Sequence, residues 1–143
     1  MAVGDINGDG RCDIILSPSE YKGQTYQVAW YEAPSDPASP EWAQHVIIPA
    51  IESVCHSLQV ADMDGDGLLD IVTARMHQGA PPQEVMVLLN REKGRKWEKL
   101  VVSTRGSHDL LVADFDGDGR PDILGANHGG PYQPVELWLN RAK

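Results

Sequence analysis

Short runs of apolar and β-branched residues, each cut off by aspartate and glycine, recur along the 143-residue chain. Three runs lead into an acidic stretch, Met1-Ala-Val-Gly4, Leu58-Gln-Val-Ala61 and Leu110-Leu-Val-Ala113. Three others leave it, Asp13-Ile-Ile-Leu16, Asp70-Ile-Val-Thr73 and Asp122-Ile-Leu-Gly125. Runs of this length and composition predict a pair of strands, A and B, joined by a tight acidic turn. A third run follows in every copy, at Gln27–Tyr31, Val85–Leu89 and Val135–Leu139, and predicts strand C. A fourth, strand D, occurs twice, at Trp42–Ile48 and Trp97–Val102. No amphipathic helical stretch of useful length competes with these strands, so the chain reads as all-β.

The acidic stretches align with one another. They are Asp5-Ile-Asn-Gly-Asp-Gly-Arg-Cys-Asp13, Asp62-Met-Asp-Gly-Asp-Gly-Leu-Leu-Asp70 and Asp114-Phe-Asp-Gly-Asp-Gly-Arg-Pro-Asp122, with starts 57 and 52 residues apart. Four short antiparallel strands in each period of ~50 residues describe the blade of a β-propeller. The expected organisation is one propeller segment, residues 1–143, with blade 1 over about 1–52, blade 2 over about 53–104 and an incomplete blade 3 over about 105–143. That makes eleven strands, about 2.75 blades, where a closed ring needs roughly four to eight. The segment is therefore expected to belong to a longer chain, or to be one protomer of an assembled ring. An open arc leaves apolar blade faces uncovered, which favours self-association.

Carboxylates at loop positions one, three, five and nine, with glycines at four and six, place hard oxygen donors inside a tight bend. Calcium takes six to eight oxygens at ~2.3–2.6 Å and suits such a set, whereas magnesium prefers a rigid octahedron that keeps several waters. The second site is expected to use Asp62, Asp64, Asp66 and Asp70 with the carbonyl of Leu68. The third uses Asp114, Asp116, Asp118 and Asp122 with that of Arg120, and the first uses Asp5, Asn7, Asp9 and Asp13 with that of Arg11. Neutral Asn7 should weaken the first. Up to three calcium ions are expected. An EF-hand is excluded, because it needs a glutamate at position twelve and flanking helices. Here position twelve is Leu16, Thr73 and Gly125, and strands flank the loops.

Charge sharpens this picture. The formal net charge is −9 from 21 acidic and 12 basic residues. Eleven of the acidic residues lie in the three loops, so three divalent ions would bring the balance to −3. The acidity is metal demand more than a surface for a basic partner. No Lys/Arg stripe is present for nucleic acid, and no apolar run is long enough to insert in a membrane. No basic-then-apolar leader precedes the first loop, so if the protein is exported the signal is expected upstream of this segment. Cys12 and Cys55 are expected to be separated by ~15–20 Å, too far to bridge, and read as isolated thiols.

On these loops and flanks, over nearly the whole chain, the sequence resembles the FG-GAP or VCBS-type repeats of integrin α-chain propellers and of secreted bacterial proteins. Phe-Gly and Gly-Ala-Pro segments are not evident before the loops, which points to the bacterial type. The resemblance implies a propeller, calcium in the A–B loops, and an extracellular, periplasmic or cell-surface setting. It implies no single activity, since this scaffold hosts adhesion modules, lectins and some polysaccharide lyases.

Strand connectivity puts the A–B loops on one face and the B–C and D–A loops on the other. His56 and His108, each six residues before a loop's first aspartate, are expected on that second face with His77, His128, Asp109, Arg75, Asn127, Glu20 and Tyr21. The histidines read either as a polar pocket for a sugar, an anionic polymer or a second metal, or as a turn-fixing residue copied with the repeat. Trp30, Trp42, Trp97 and Trp138 read as packing between blades or at the rim rather than as sugar-stacking platforms. No catalytic residue is assigned, because no nucleophile elbow, zinc-protease helix or Cys/His pair is present. The expected function is a calcium-stabilised binding or adhesion module for a glycan or protein ligand. The alternatives are part of a propeller-type polysaccharide lyase or hydrolase, and a purely structural segment.

Overall fold

The computed structural model describes residues 1–130 and 135–141. Residues 131–134, 142 and 143, assigned above to blade 3, lie outside the described residues. Among the described residues are eleven strands and no helix. In chain order they are β1 (Ala2–Gly4), β2 (Asp13–Leu16), β3 (Tyr21–Glu32), β4 (Ala43–Ser53), β5 (Leu58–Ala61) and β6 (Asp70–Ala74). There follow β7 (Val85–Arg91), β8 (Lys96–Ser103), β9 (Asp109–Ala113), β10 (Asp122–Ala126) and β11 (Val135–Trp138). They pair with their sequence neighbours into three antiparallel sheets, β1-β2-β3-β4, β5-β6-β7-β8 and β9-β10-β11. This is the all-β blade architecture that the repeat predicts.

One register governs all three blades. The residue just before each acidic loop pairs with the loop's ninth residue, Gly4 with Asp13, Ala61 with Asp70 and Ala113 with Asp122. Because side chains alternate across a strand, this pairing fixes which residues face each neighbouring blade. The first strands form the hub, with β1 against β5 and β5 against β9.

The core lies between the sheets. Ile6, Ile15, Val28 and Trp30 of blade 1 pack against Leu58, Ile71, Met86 and Leu88 of blade 2. The opposite side of blade 2, through Val72, Ala74, Val85 and Val87, packs on Leu110 and Ile123 of blade 3. Every residue of β6 is buried, as expected of a strand covered on both faces. The Trp30 indole N–H reaches the carbonyl of Gly94 at 3.3 Å, and that of Trp97 reaches the same oxygen at 3.1 Å. Gly94 is needed there, since its φ is 81° and a Cβ would stand 2.8 Å from the Trp30 ring. Trp138 packs at the rim of the second core, so three of the four tryptophans serve packing.

Blades 1 and 3 each keep one apolar side open. Val3 and Leu16 are exposed on blade 1, and Leu111, Val135 and Leu137 on blade 3. Leu124, the repeat counterpart of buried Ile15 and Val72, stands in the open row between Leu111 and Leu137.

Two strands outrun their predicted bounds. β3 begins at Tyr21 rather than 27, and β4 runs on to Ser53 rather than 48, the added lengths pairing through register shifts between Tyr21 and Val28. This arm is exposed through Tyr26 and carries Gly23 and Pro49, so backbone pairing holds it without an apolar pattern to announce it. Cys12 and Cys55 are both free, the first exposed and the second buried.

Ile71 is fully buried between blades 1 and 2, whereas Leu111 is half-exposed on the open side of blade 3. In urea unfolding, Ile71→Ala is expected to cost about 2–5 kcal/mol. Leu111→Ala is expected to cost less than about 1 kcal/mol. Equal losses would contradict the assignment of the core to the blade interfaces.

Candidate functional site

Each A–B loop closes on its first aspartate. Asp5 Oδ1 accepts the N–H groups of Gly8 and Asp9 at 2.8 and 3.0 Å, and its Oδ2 accepts that of Gly10 at 2.8 Å. Asp62 receives Gly65, Asp66 and Gly67 in the same way, and Asp114 receives Gly117, Asp118 and Gly119. The two glycines of every loop have φ between 73° and 87° with open space around them, so left-handed backbone is the reason for glycine there. The amide of the seventh residue, Arg11, Leu68 or Arg120, donates to the fifth aspartate at 2.9–3.0 Å.

The ninth aspartate is wholly shut from solvent in all three blades. Asp13 Oδ2 accepts Ile6 N–H at 2.9 Å and Oδ1 accepts Ala33 N–H at 2.9 Å. Asp70 bridges Met63 and Asn90 at 2.8 and 2.7 Å, and Asp122 bridges Phe115 and Asn140 at 3.0 and 2.7 Å. One carboxylate thus ties the loop to the end of the third strand of its blade.

The donor sets differ among the loops. Asp62, Asp64 and Asp66 each offer an oxygen within 4.8 Å of the others, and so do Asp114, Asp116 and Asp122. Among the described residues loop 1 presents no such trio, having Asn7 at position three. Arginines face the same oxygens. Arg91 Nη1 lies 2.6 Å from Asp64 and 3.0 Å from Asp66. Arg141 Nη1 lies 2.8 Å from Asp116 and 3.0 Å from Asp118, which Arg120 also meets. In loop 1 Arg11 pairs with Asp9 at 2.5 Å.

The electrostatics follow burial. Burial pushes Asp70 up to about 6, against the pull of the Asn90 and Met63 amides and with the repulsion of Asp64 and Asp66. Burial also raises Asp13. Asp122, at the open end of the arc, is lowered instead, first by the Asn140 amide, with Phe115 and Arg141 adding to it. The same bridge is therefore shifted upward where burial dominates and downward where the amide donors and Arg141 do.

Two residues that composition and spacing do not single out as functional complete these loops. Asn90 is fully buried, and its Nδ2 donates to Ile6 of blade 1 at 2.8 Å while its Oδ1 accepts Gly94 N–H at 2.6 Å. Asn140 repeats the reach, donating to Met63 of blade 2 at 2.7 Å. They clasp each blade to the loop of the one before it. Their signal is the repeated Leu-Asn-Arg at 89–91 and 139–141.

At the opposite end of the hub the predicted histidines converge. His56, just before β5, stacks on His108, just before β9, with ring centroids 4.5 Å apart. His108 meets His128 edge-on at 4.3 Å, and His128 meets His77 at 5.8 Å. Glu20 lies 3.1 Å from His56 Nε2, and Asp109 lies 2.9 Å from His108 Nδ1. The backbone amide of His108 donates to Asn127 at 3.1 Å. Arg75 sits nearby but is engaged with Glu52 and with Pro82 O at 2.6 Å, a link that fastens the blade 1 arm to blade 2. Tyr21 begins β3 and contacts Tyr26, away from the rings. His77 is lowered, first by burial and then by His128 and His108.

Three sheets radiating from a hub of first strands, with an acidic loop in each, define a propeller-type repeat module. The chain is built from FG-GAP-type repeats: residues 5–73 match the FG-GAP-like repeat, and residues 108–136 match the FG-GAP repeat. No curated protein matches this chain. Repeats of this type are typical of extracellular or surface proteins, and no helix among the described residues is long and apolar enough to cross a membrane.

Asp70 supplies a test of the loop electrostatics. Its raised folded-state value means its contribution to stability is full below its ordinary value of 3.8 and is lost as pH rises through about 6. In calcium-free protein, a side-chain carboxyl titration by NMR is expected to find the Asp70 midpoint near 6. A midpoint near 4, the ordinary aspartate range, would contradict its enclosure.

Proposed function

We propose that this chain is a calcium-stabilised β-propeller segment that serves as a binding or adhesion module, with a glycan or protein ligand on the histidine-bearing face. The observation that carries the reading is a carboxylate trio in each of two loops, Asp62 with Asp64 and Asp66, and Asp114 with Asp116 and Asp122, each loop preshaped by the same three amide bonds to its first aspartate. Calcium fits these oxygens. It would take Asp62, Asp64, Asp66 and Asp70 in loop 2, and Asp114, Asp116, Asp118 and Asp122 in loop 3, each with the seventh carbonyl. Loop 1, with Asn7, would hold a third ion less tightly. Arg91 and Arg141 pair with the same carboxylates, and calcium would take over that role on binding.

The open sides of blades 1 and 3 carry the same residue pattern as the covered sides, so they are suited to further blades of this repeat, from the same or another chain. An extracellular, periplasmic or cell-surface setting agrees with the repeat type.

Calcium is expected to raise the thermal midpoint by several degrees over chelator, since a ligand bound only by the folded state adds stability. Asp62→Ala with Asp114→Ala should abolish most of that shift. In the same calcium buffer, binding on a glycan array or to a protein ligand is expected to fall when His56 and His108 are both replaced by alanine. An identical melt with and without calcium would overturn the metal reading. Undiminished binding by the double variant would move the ligand to another face.

A further inference from the structure

The histidine group is chemically unlike the acidic loops and lies at the other end of the blades. We propose that His56, His108 and Asp109 form a site for one divalent d-block cation of the zinc class, independent of calcium in the loops. One donor atom from each of the three lies within 4.8 Å of the other two. Slight side-chain turning closes that spacing around an ion whose bonds to nitrogen and oxygen are about 2.0–2.2 Å. Imidazole with carboxylate suits zinc, nickel or copper, whereas calcium takes oxygen donors alone.

The placement comes from the hub. His56 precedes the first strand of blade 2 and His108 that of blade 3, so adjoining first strands bring one ring from each blade into contact. A histidine that merely fixed a turn would be satisfied within its own blade, but these rings meet across the blade boundary. Carboxylate oxygens already stand among the ring nitrogens, Glu20 beside His56 Nε2 at 3.1 Å and Asp109 beside His108 Nδ1 at 2.9 Å. Donor capacity is also in excess. His128 lies against His108, and His77 Nδ1, behind His128, is closed to solvent with no hydrogen-bond partner. His128 or Glu20 is placed to complete a four-coordinate shell, and the exposure of His56 leaves access from solvent.

The test uses Co²⁺ as a coloured stand-in for Zn²⁺, added to protein held in excess calcium so that the acidic loops are occupied first. One equivalent is expected to give the visible absorption of nitrogen-ligated Co²⁺ and to be displaced by Zn²⁺. His56→Ala and His108→Ala should each weaken uptake by about tenfold or more. His45→Ala, a ring stacked on Trp30 away from the group, should leave it unchanged. The calcium-dependent melt of each variant checks that it folds. If either variant fails to fold, paramagnetic broadening of the His56 and His108 ring signals in the unaltered chain decides the matter. No uptake, uptake untouched by the histidine variants, or uptake lost only in the Asp62→Ala and Asp114→Ala chain would overturn the site. That last result would leave the calcium reading standing, so the two ideas fail separately.

Discussion

Each blade is organised by a carboxylate sealed from water. Asp13, Asp70 and Asp122 use one oxygen to hold the second residue of their own loop and the other to hold a residue near the end of the third strand. A buried charge without partners is costly, and a carboxylate with two amide donors is a partial answer to that cost. Burial, and after it repulsion from Asp64 and Asp66, works against it and raises Asp70. The loops therefore concentrate negative charge, and Arg91, Arg141 and Arg11 pair with it from the solvent side. The calcium-filled state proposed above would offset the same charge from within.

The clamp also sets the relation between blades. Holding the loop to the third strand places Asn90 and Asn140 where each can reach back to the preceding loop, and brings Ile6 and Met63 into the two cores. Polar bridging at one end of the interface and apolar packing along its length thus share the same residues. Repetition of that interface explains why blade 2 is buried on both sides while its neighbours show an apolar side to solvent. It also explains why rings from separate blades meet at the far end, since the first strands that carry His56 and His108 are adjacent in the hub.

Most of this was legible in the chain because the repeat aligned three independent copies of each feature. Eleven strands are readable since every loop ends in Asp-Ile and short apolar runs flank every loop. The acidic positions were readable from spacing, and connectivity alone put four histidines on one face. What spacing could not convey was the work of the ninth aspartate, which reads as a metal ligand but is also the clamp of its blade. Asn90 and Asn140 escaped notice because asparagine at a strand end ordinarily reads as a turn residue, and only the fold reveals that each crosses to another blade. The Tyr21–Ser53 arm leaves little mark on the sequence because its pairing is backbone to backbone, with bulges that break alternation. The opposite shifts of Asp70 and Asp122 come from burial at the one and from the Asn140 amide, Phe115 and Arg141 at the other, surroundings that identical motifs do not encode.

Amide hydrogen exchange at Ile6, Met63 and Phe115 tests the central claim most directly, because these N–H groups are the ones that the ninth aspartates hold. The account predicts protection comparable to that of core strand amides such as Ile71, increasing further in calcium. Exchange at the rate of an unstructured peptide, with or without calcium, would contradict it.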